Sequence, residues 1–134
     1  MENQYTLKVY PVGRGTSVYR VIEISGKSTL QKLCDTILSA FDFDGGHMFE
    51  YCMDNKMYGA NTRENHPSIK KKLDQLGLQK GQKFSLHYDF GDDWMFTINV
   101  QKITEIAEAT KPCVVKEKGH VEQYPDWDEE DWDE

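Results

Sequence analysis

The sequence predicts an α+β fold: a mostly antiparallel sheet with one long helix packed across one face, an α/β roll or β-grasp-like arrangement. Three observations carry that expectation. Several segments alternate apolar and polar residues with the period of two that marks a half-buried strand. One segment, Leu30 to Phe41, repeats its apolar residues at helical spacing along a single stripe, so the helix it forms covers a sheet and shows its other side to water. The order along the chain reads strand, strand, helix, strand, short helix, strand, strand.

The first strand is expected over residues 5 to 11 (YTLKVYP), with Leu7 and Val9 on one face, until Pro11, Gly13 and Gly15 break it. Val18 to Ser25 forms the second, with Arg20, Ile22 and Ile24 on one face and Tyr19, Val21 and Glu23 on the other; the two read as a loosely connected hairpin. Ser28-Thr29-Leu30-Gln31 then has the pattern of a capping box, with Ser28 accepting from the first turn and Gln31 reaching back. Leu30, Leu33, Cys34, Ile37, Leu38 and Phe41 follow as the stripe of a helix of about four turns, and Asp44-Gly45-Gly46 ends it. Met48 to Met53 is a third strand and Lys56 to Ala60 a short fourth; Asn61 to Pro67 is a long surface loop, and Ile69 to Leu76 a short helix closed by Gly77. Lys83 to Phe90 and the run Trp94, Phe96, Ile98, Val100 alternate on either side of Gly91-Asp92-Asp93 and form a hairpin. Beyond Ile103 the periodicity fades. The chain therefore divides into a core over residues 1–112 and an irregular acidic segment over 113–134.

With 134 residues, 38% hydrophobic and 29% charged, one core is expected. No apolar stretch approaches the roughly 18 residues of a membrane span, and the N-terminus lacks a basic region followed by an apolar run. Cys34, Cys52 and Cys113 are odd in number and form no C-x-x-C pair, which fits a reducing cytoplasm; the first two, among apolar neighbours, read as small buried hydrophobes. A monomer is the expected state.

The net charge of −7 is unevenly placed. Residues 122–134 hold eight carboxylates and no Lys or Arg, whereas the other 121 residues hold 15 acids against 16 bases. This acidic tail is interleaved with Tyr124, Trp127 and Trp132, aromatics that suit docking on the body or on a partner, Trp127 being the expected anchor. The body offers one lysine-rich stretch, Lys70-Lys71-Lys72, which reads first as the wet face of the short helix.

The densest unusual sequence is Tyr88-Asp89-Phe90-Gly91-Asp92-Asp93-Trp94. Its Asp-Phe-Gly triplet is not the kinase one, since no glycine-rich loop over a Lys-bearing strand and no His-Arg-Asp loop accompany it. A turn explains it better, with Gly91 and Asp92 supplying unusual dihedrals, aspartates bonding turn N–H groups, and Tyr88 and Trp94 packing at its sides. An enzyme or metal site would recruit Asp89, Asp92 and Asp93 with His47 or His87. The spacing opposes this: Asp92 and Asp93 are adjacent, His87 and Asp89 share a strand face, and nothing in the sequence brings His47 within reach. There is no H-x-x-x-H pair and no phosphate-cradling loop, so neither cofactor nor metal is expected.

The run YDFGDDW, the upstream LGLQKGQKF, the helix from STLQKL to AFDFDGGHMFEY and the segment PCVVKEKGHVEQYPDWDEEDW together resemble the Ri-plasmid open-reading-frame-three-like family, from about Tyr5 to Trp132. The resemblance implies a small α+β protein associated with plasmids and mobile elements, and implies no established activity. His47 matches a histidine often seen after the helix in that family. Phe96 stands where its members often place a histidine, so no role for that histidine transfers. The function class these observations favour is a non-enzymatic binding or interaction module with a protein partner, its candidate binding residues His47, Asp89, Asp92, Asp93, Trp94 and Trp127. The alternative is a nucleic-acid-associated protein whose acidic tail regulates the lysine-rich patch.

Overall fold

The computed structural model describes residues 2–53, 56–62, 67–89 and 91–123, with residues 56–62 and 67 described by their backbone alone. The described elements are β1 (Glu2–Pro11), β2 (Tyr19–Ser25), α1 (Leu30–Ala40), β3 (Phe49–Met53), β4 (Lys56–Thr62), β5 (Lys83–Tyr88), β6 (Trp94–Ile106) and β7 (Cys113–Lys118). The strands form one seven-stranded sheet in the order β4-β3-β5-β6-β1-β2-β7, and every pairing among the described residues is antiparallel.

Alternation sets the two faces. Leu7 lies opposite Ile22 and Val100, Val9 opposite Ile98, and Leu86 opposite Tyr51 and Phe96, all turned toward α1. The helix answers with Leu30, Leu33, Cys34, Ile37 and Leu38, all buried, and Phe41 at its end is buried with them. The helix stripe and the strand residues Phe84, Leu86, Ile98 and Val100 join one core cluster, as the two periodicities require.

The helix is shorter than expected, 11 residues or three turns, and both ends differ from the sequence reading. Its N-cap is Thr29, whose Oγ1 accepts from the Lys32 N–H at 3.1 Å, while Gln31 donates to Asp35 instead of reaching back. Ser28 is drawn elsewhere: its carbonyl accepts from the Leu73 N–H at 2.9 Å. At the other end the left-handed residue that closes the helix is Asp42 (φ 59°); Gly46 is left-handed too (φ 96°) but lies beyond the end of the helix. Asp42 and Phe43 donate back to the carbonyls of Ser39 and Leu38, the two bonds of a Schellman motif.

The expected short helix over Ile69 to Leu76 is two 3₁₀ turns, Pro67–Lys70 and Leu73–Gln75. Between them the Lys71 carbonyl accepts from the Leu30 N–H at 2.9 Å, so backbone that would continue a helix is spent on the start of α1. Asn61 and Thr62, expected in a loop, belong to β4.

Residues 113–118 are not irregular, as the sequence suggests, but form the edge strand β7 on β2. All six are exposed, so they carry none of the apolar alternation by which a half-buried strand is recognised. What fixes β7 is the ladder and one buried cation. Arg20, 4% exposed, donates from Nε to the Ala40 carbonyl at the end of α1 (2.9 Å), and from Nη1 to the carbonyls of Tyr19 (2.9 Å), Lys118 (3.1 Å) and Gly119 (3.0 Å). Its guanidinium also lies 4.7 Å from the centre of the Phe41 ring. A cation suits the carbonyl end of a helix, and here it ties that end to the last strand.

Candidate functional site

The β5–β6 connection gathers most of the predicted site residues. Asp89 and Asp93 hold its left-handed positions (φ 60° and 54°), whereas the sequence reading assigns the unusual dihedrals to Gly91 and Asp92. Asp89 Oδ1 accepts from the N–H groups of Gly91 (3.2 Å) and Asp92 (3.3 Å), an aspartate turn of the expected kind, and the Asp93 N–H returns to the Asp89 carbonyl at 2.6 Å.

His47 does reach this turn. Its Nε2 lies 3.6 Å from Asp89 Oδ2, its ring meets Tyr88 edge-on at 5.7 Å, and its backbone N–H donates to the Tyr88 hydroxyl, which in turn donates to the Asp44 carbonyl at 2.7 Å. His87 and Asp89, expected on one face, have different neighbours. His87 Nε2 sits 2.8 Å from Asp93 Oδ1 and its Nδ1 3.9 Å from Glu50, while the positive φ of Asp89 turns its carboxylate to His47.

Trp94 is half-buried, edge-on to Phe43 at 4.7 Å and stacked on Phe96 at 6.0 Å. Its indole N–H donates to the Gln123 carbonyl at 3.3 Å. Gln123 is the residue sequence reasoning missed: 8% exposed, it accepts from the Asp44 N–H at 2.6 Å and donates to the Asp44 carbonyl at 3.2 Å. With Val121 also buried, the first residues of the acidic segment are seated against the body. No local pattern marks Gln123, whose partners lie 79 and 29 positions upstream. Trp127, with Tyr124 and Trp132, lies outside the described residues.

Chemically, this corner is a held turn. Asp89 spends one oxygen on backbone N–H groups and faces His47 with the other, and among the described residues no three His, Cys, Asp or Glu side chains are placed to hold a metal ion. The Cys34 thiol is pushed well up by burial, which leaves it a small core hydrophobe rather than a nucleophile. Lys70, Lys71 and Lys72 are exposed.

A groove leads away from this corner. A cavity of about 830 Å³ lies between the outer side of α1, with Asp35, Ser39 and Asp42, and β7, with Cys113, Val114 and Glu117. A second, of about 410 Å³, continues past Asp35 and Asp42 to Phe43 and Asp44. The outer backbone of β7 pairs with no described strand, and Val114 and Val115 are 40% and 50% exposed. No described helix is long and apolar enough to cross a membrane.

The family model for plasmid pRiA4b ORF-3-like protein matches residues 3–130. A solved structure, a protein of unknown function, MM3350, from Methanosarcina mazei Go1, superposes with a TM-score of 0.73 at 24% identity, covering 90% of this chain and 73% of its own, a likeness of fold. No curated protein matches the chain.

Proposed function

We propose that this chain, which belongs to the plasmid pRiA4b ORF-3-like family, is a non-enzymatic interaction module that takes an extended segment of a protein partner along β7. The observation that carries this reading is the groove itself: an exposed edge strand facing a helix across about 830 Å³. An incoming strand gains main-chain hydrogen bonds from the open edge, and its alternate side chains enter the space beside α1. The far end of the groove is acidic, with Asp35, Asp42 and Asp44 exposed there and Asp92 and Asp93 exposed on the neighbouring turn, so the segment that fits is apolar opposite Val114 and basic beyond it. His47, Asp89 and Trp94 act on this surface by holding its acidic end in place.

Cys113 supplies the test, because it is exposed in the groove wall. Peptides selected from a random display library against the full chain should share an apolar-basic alternation and slow the reaction of Cys113 with a thiol reagent. They should also protect the amides of residues 113–118 from hydrogen exchange. Val114→Asp should abolish binding, and Asp42→Asn with Asp44→Asn should weaken basic peptides. Selected peptides that leave Cys113 and the β7 amides unaffected would sink the proposal.

A further inference from the structure

The face of the sheet turned away from α1 has a chemistry of its own. The ladder sets its residues in rows. One row runs Asn99, Lys8, Val21, Lys116; the next holds Thr97 beside Tyr10 and Tyr19 beside Lys118; on the other side Lys102, Thr6 and Glu23 form a third. Four lysines thus share these rows with one carboxylate. Two of them lie on aromatic rings: Lys8 Nζ is 5.5 Å from the centre of Tyr10 and 4.7 Å from that of Tyr19, and Lys116 Nζ is 5.9 Å from Tyr19. Between Lys8, Tyr19, Gln101 and Lys116 the surface dips into a cavity of about 340 Å³.

Lysines lying beside flat rings, on a face that no described helix covers, call for a ligand that is anionic and planar in part.

We propose that this face binds single-stranded nucleic acid, with phosphates on Lys8, Lys102 and Lys116 and bases against Tyr10 and Tyr19. A duplex hides the base faces that such rings engage, whereas an open strand lies across a sheet and stacks as it goes. The acidity of the whole chain does not oppose this. Eight of its 23 carboxylates lie in residues 122–134, and the remaining residues carry one more base than acid, so the lysine rows stand out on a nearly neutral body. The site is on the other side of the sheet from the groove and stands or falls without it.

The test uses the full chain and a fluorescein-labelled single-stranded DNA of mixed sequence, about 20 nucleotides long, with the matching duplex as comparison. Anisotropy at low salt should show the single strand bound at least roughly tenfold more tightly than the duplex, with affinity falling as salt rises. The combined Lys8→Gln, Lys102→Gln, Lys116→Gln variant should weaken binding by more than about tenfold and flatten the log-log salt slope by about 2, because each phosphate contact with a single strand contributes about 0.7. Tyr19→Ser should weaken binding several-fold with the slope unchanged. Circular dichroism and melting show whether the variants are folded; all four positions lie off the core and should tolerate change. Absence of binding, equal affinity for duplex, or a triple variant that is folded and binds like the parent would each overturn the proposal.

Discussion

The two faces of the sheet are made by the same strands, residue by residue in alternation, and differ in what lies over them. Under α1 the side chains from Leu7 to Val100 are rings and aliphatics with at most a few per cent of their surface in water, and the one cation among them, Arg20, is bound to four carbonyls. On the far face lysines lie across tyrosines, and no described helix covers them. The first face is closed by its own chain. The second keeps charges and ring faces at the surface, where a ligand can engage them without repacking the core.

Substitutions sharpen this contrast in order of size. Ile37→Ala empties a fully buried site between helix and sheet and should cost about 2 to 5 kcal/mol in chemical denaturation; a loss below about half a kcal/mol would mean that the covered face is not the stabilising one. Arg20→Met keeps bulk but removes the bonds that tie Ala40 at the end of α1 to Tyr19, Lys118 and Gly119, for a loss of about 1 to 3 kcal/mol. It should also raise hydrogen exchange across residues 113–118, which a simple cavity would not.

The alkaline limit comes next. Burial, then the hydrogen bond its hydroxyl gives Asp74 at 3.0 Å, raises the Tyr5 pKa from 10.0 to about 12. Since the folded value lies above the unfolded one, the stabilisation is fully present below pH 10 and is lost as pH climbs toward 12. Burial raises Tyr51 in the same direction. Tyr5→Phe should therefore lose stability at neutral pH and show a shallower decline between pH 10 and 12 in melting temperature; an unchanged slope would remove Tyr5 from that limb. Smallest of all, Lys8→Gln or Lys116→Gln should change stability by less than about 0.5 kcal/mol. A larger loss would mean that the lysine-tyrosine contacts serve the fold rather than a ligand.

Where side chains are sorted by burial, the sequence was readable. The stripe from Leu30 to Phe41 and the alternation of Phe84, Leu86, Ile98 and Val100 name the core because burial itself imposes those periods. Where backbone bonds decide, it was not. Ser28 and Thr29 are equally good caps by type, and the choice falls on Thr29 because Ser28 is occupied by Leu73, 45 positions along the chain. β7 escaped notice since exposure on both faces leaves no pattern to read. In the candidate site the turn was legible from its aspartates. The approach of His47 and the seat of Gln123 were not, because each joins segments more than 40 positions apart.

Arg20 also has a consequence for how the protein is made. Two of its acceptors, the carbonyls of Lys118 and Gly119, come 98 and 99 residues after it in the chain. At about 5 to 20 residues per second, a ribosome takes roughly 5 to 20 s to supply them. Through that interval the helix and its strands can assemble, but the guanidinium meant for their shared corner waits without its last partners and the outer wall of the groove does not yet exist. A nascent chain that stops short of residue 113 therefore displays a cation with only part of its acceptors and a bare β2 edge, the kind of unpaired edge that invites misassembly.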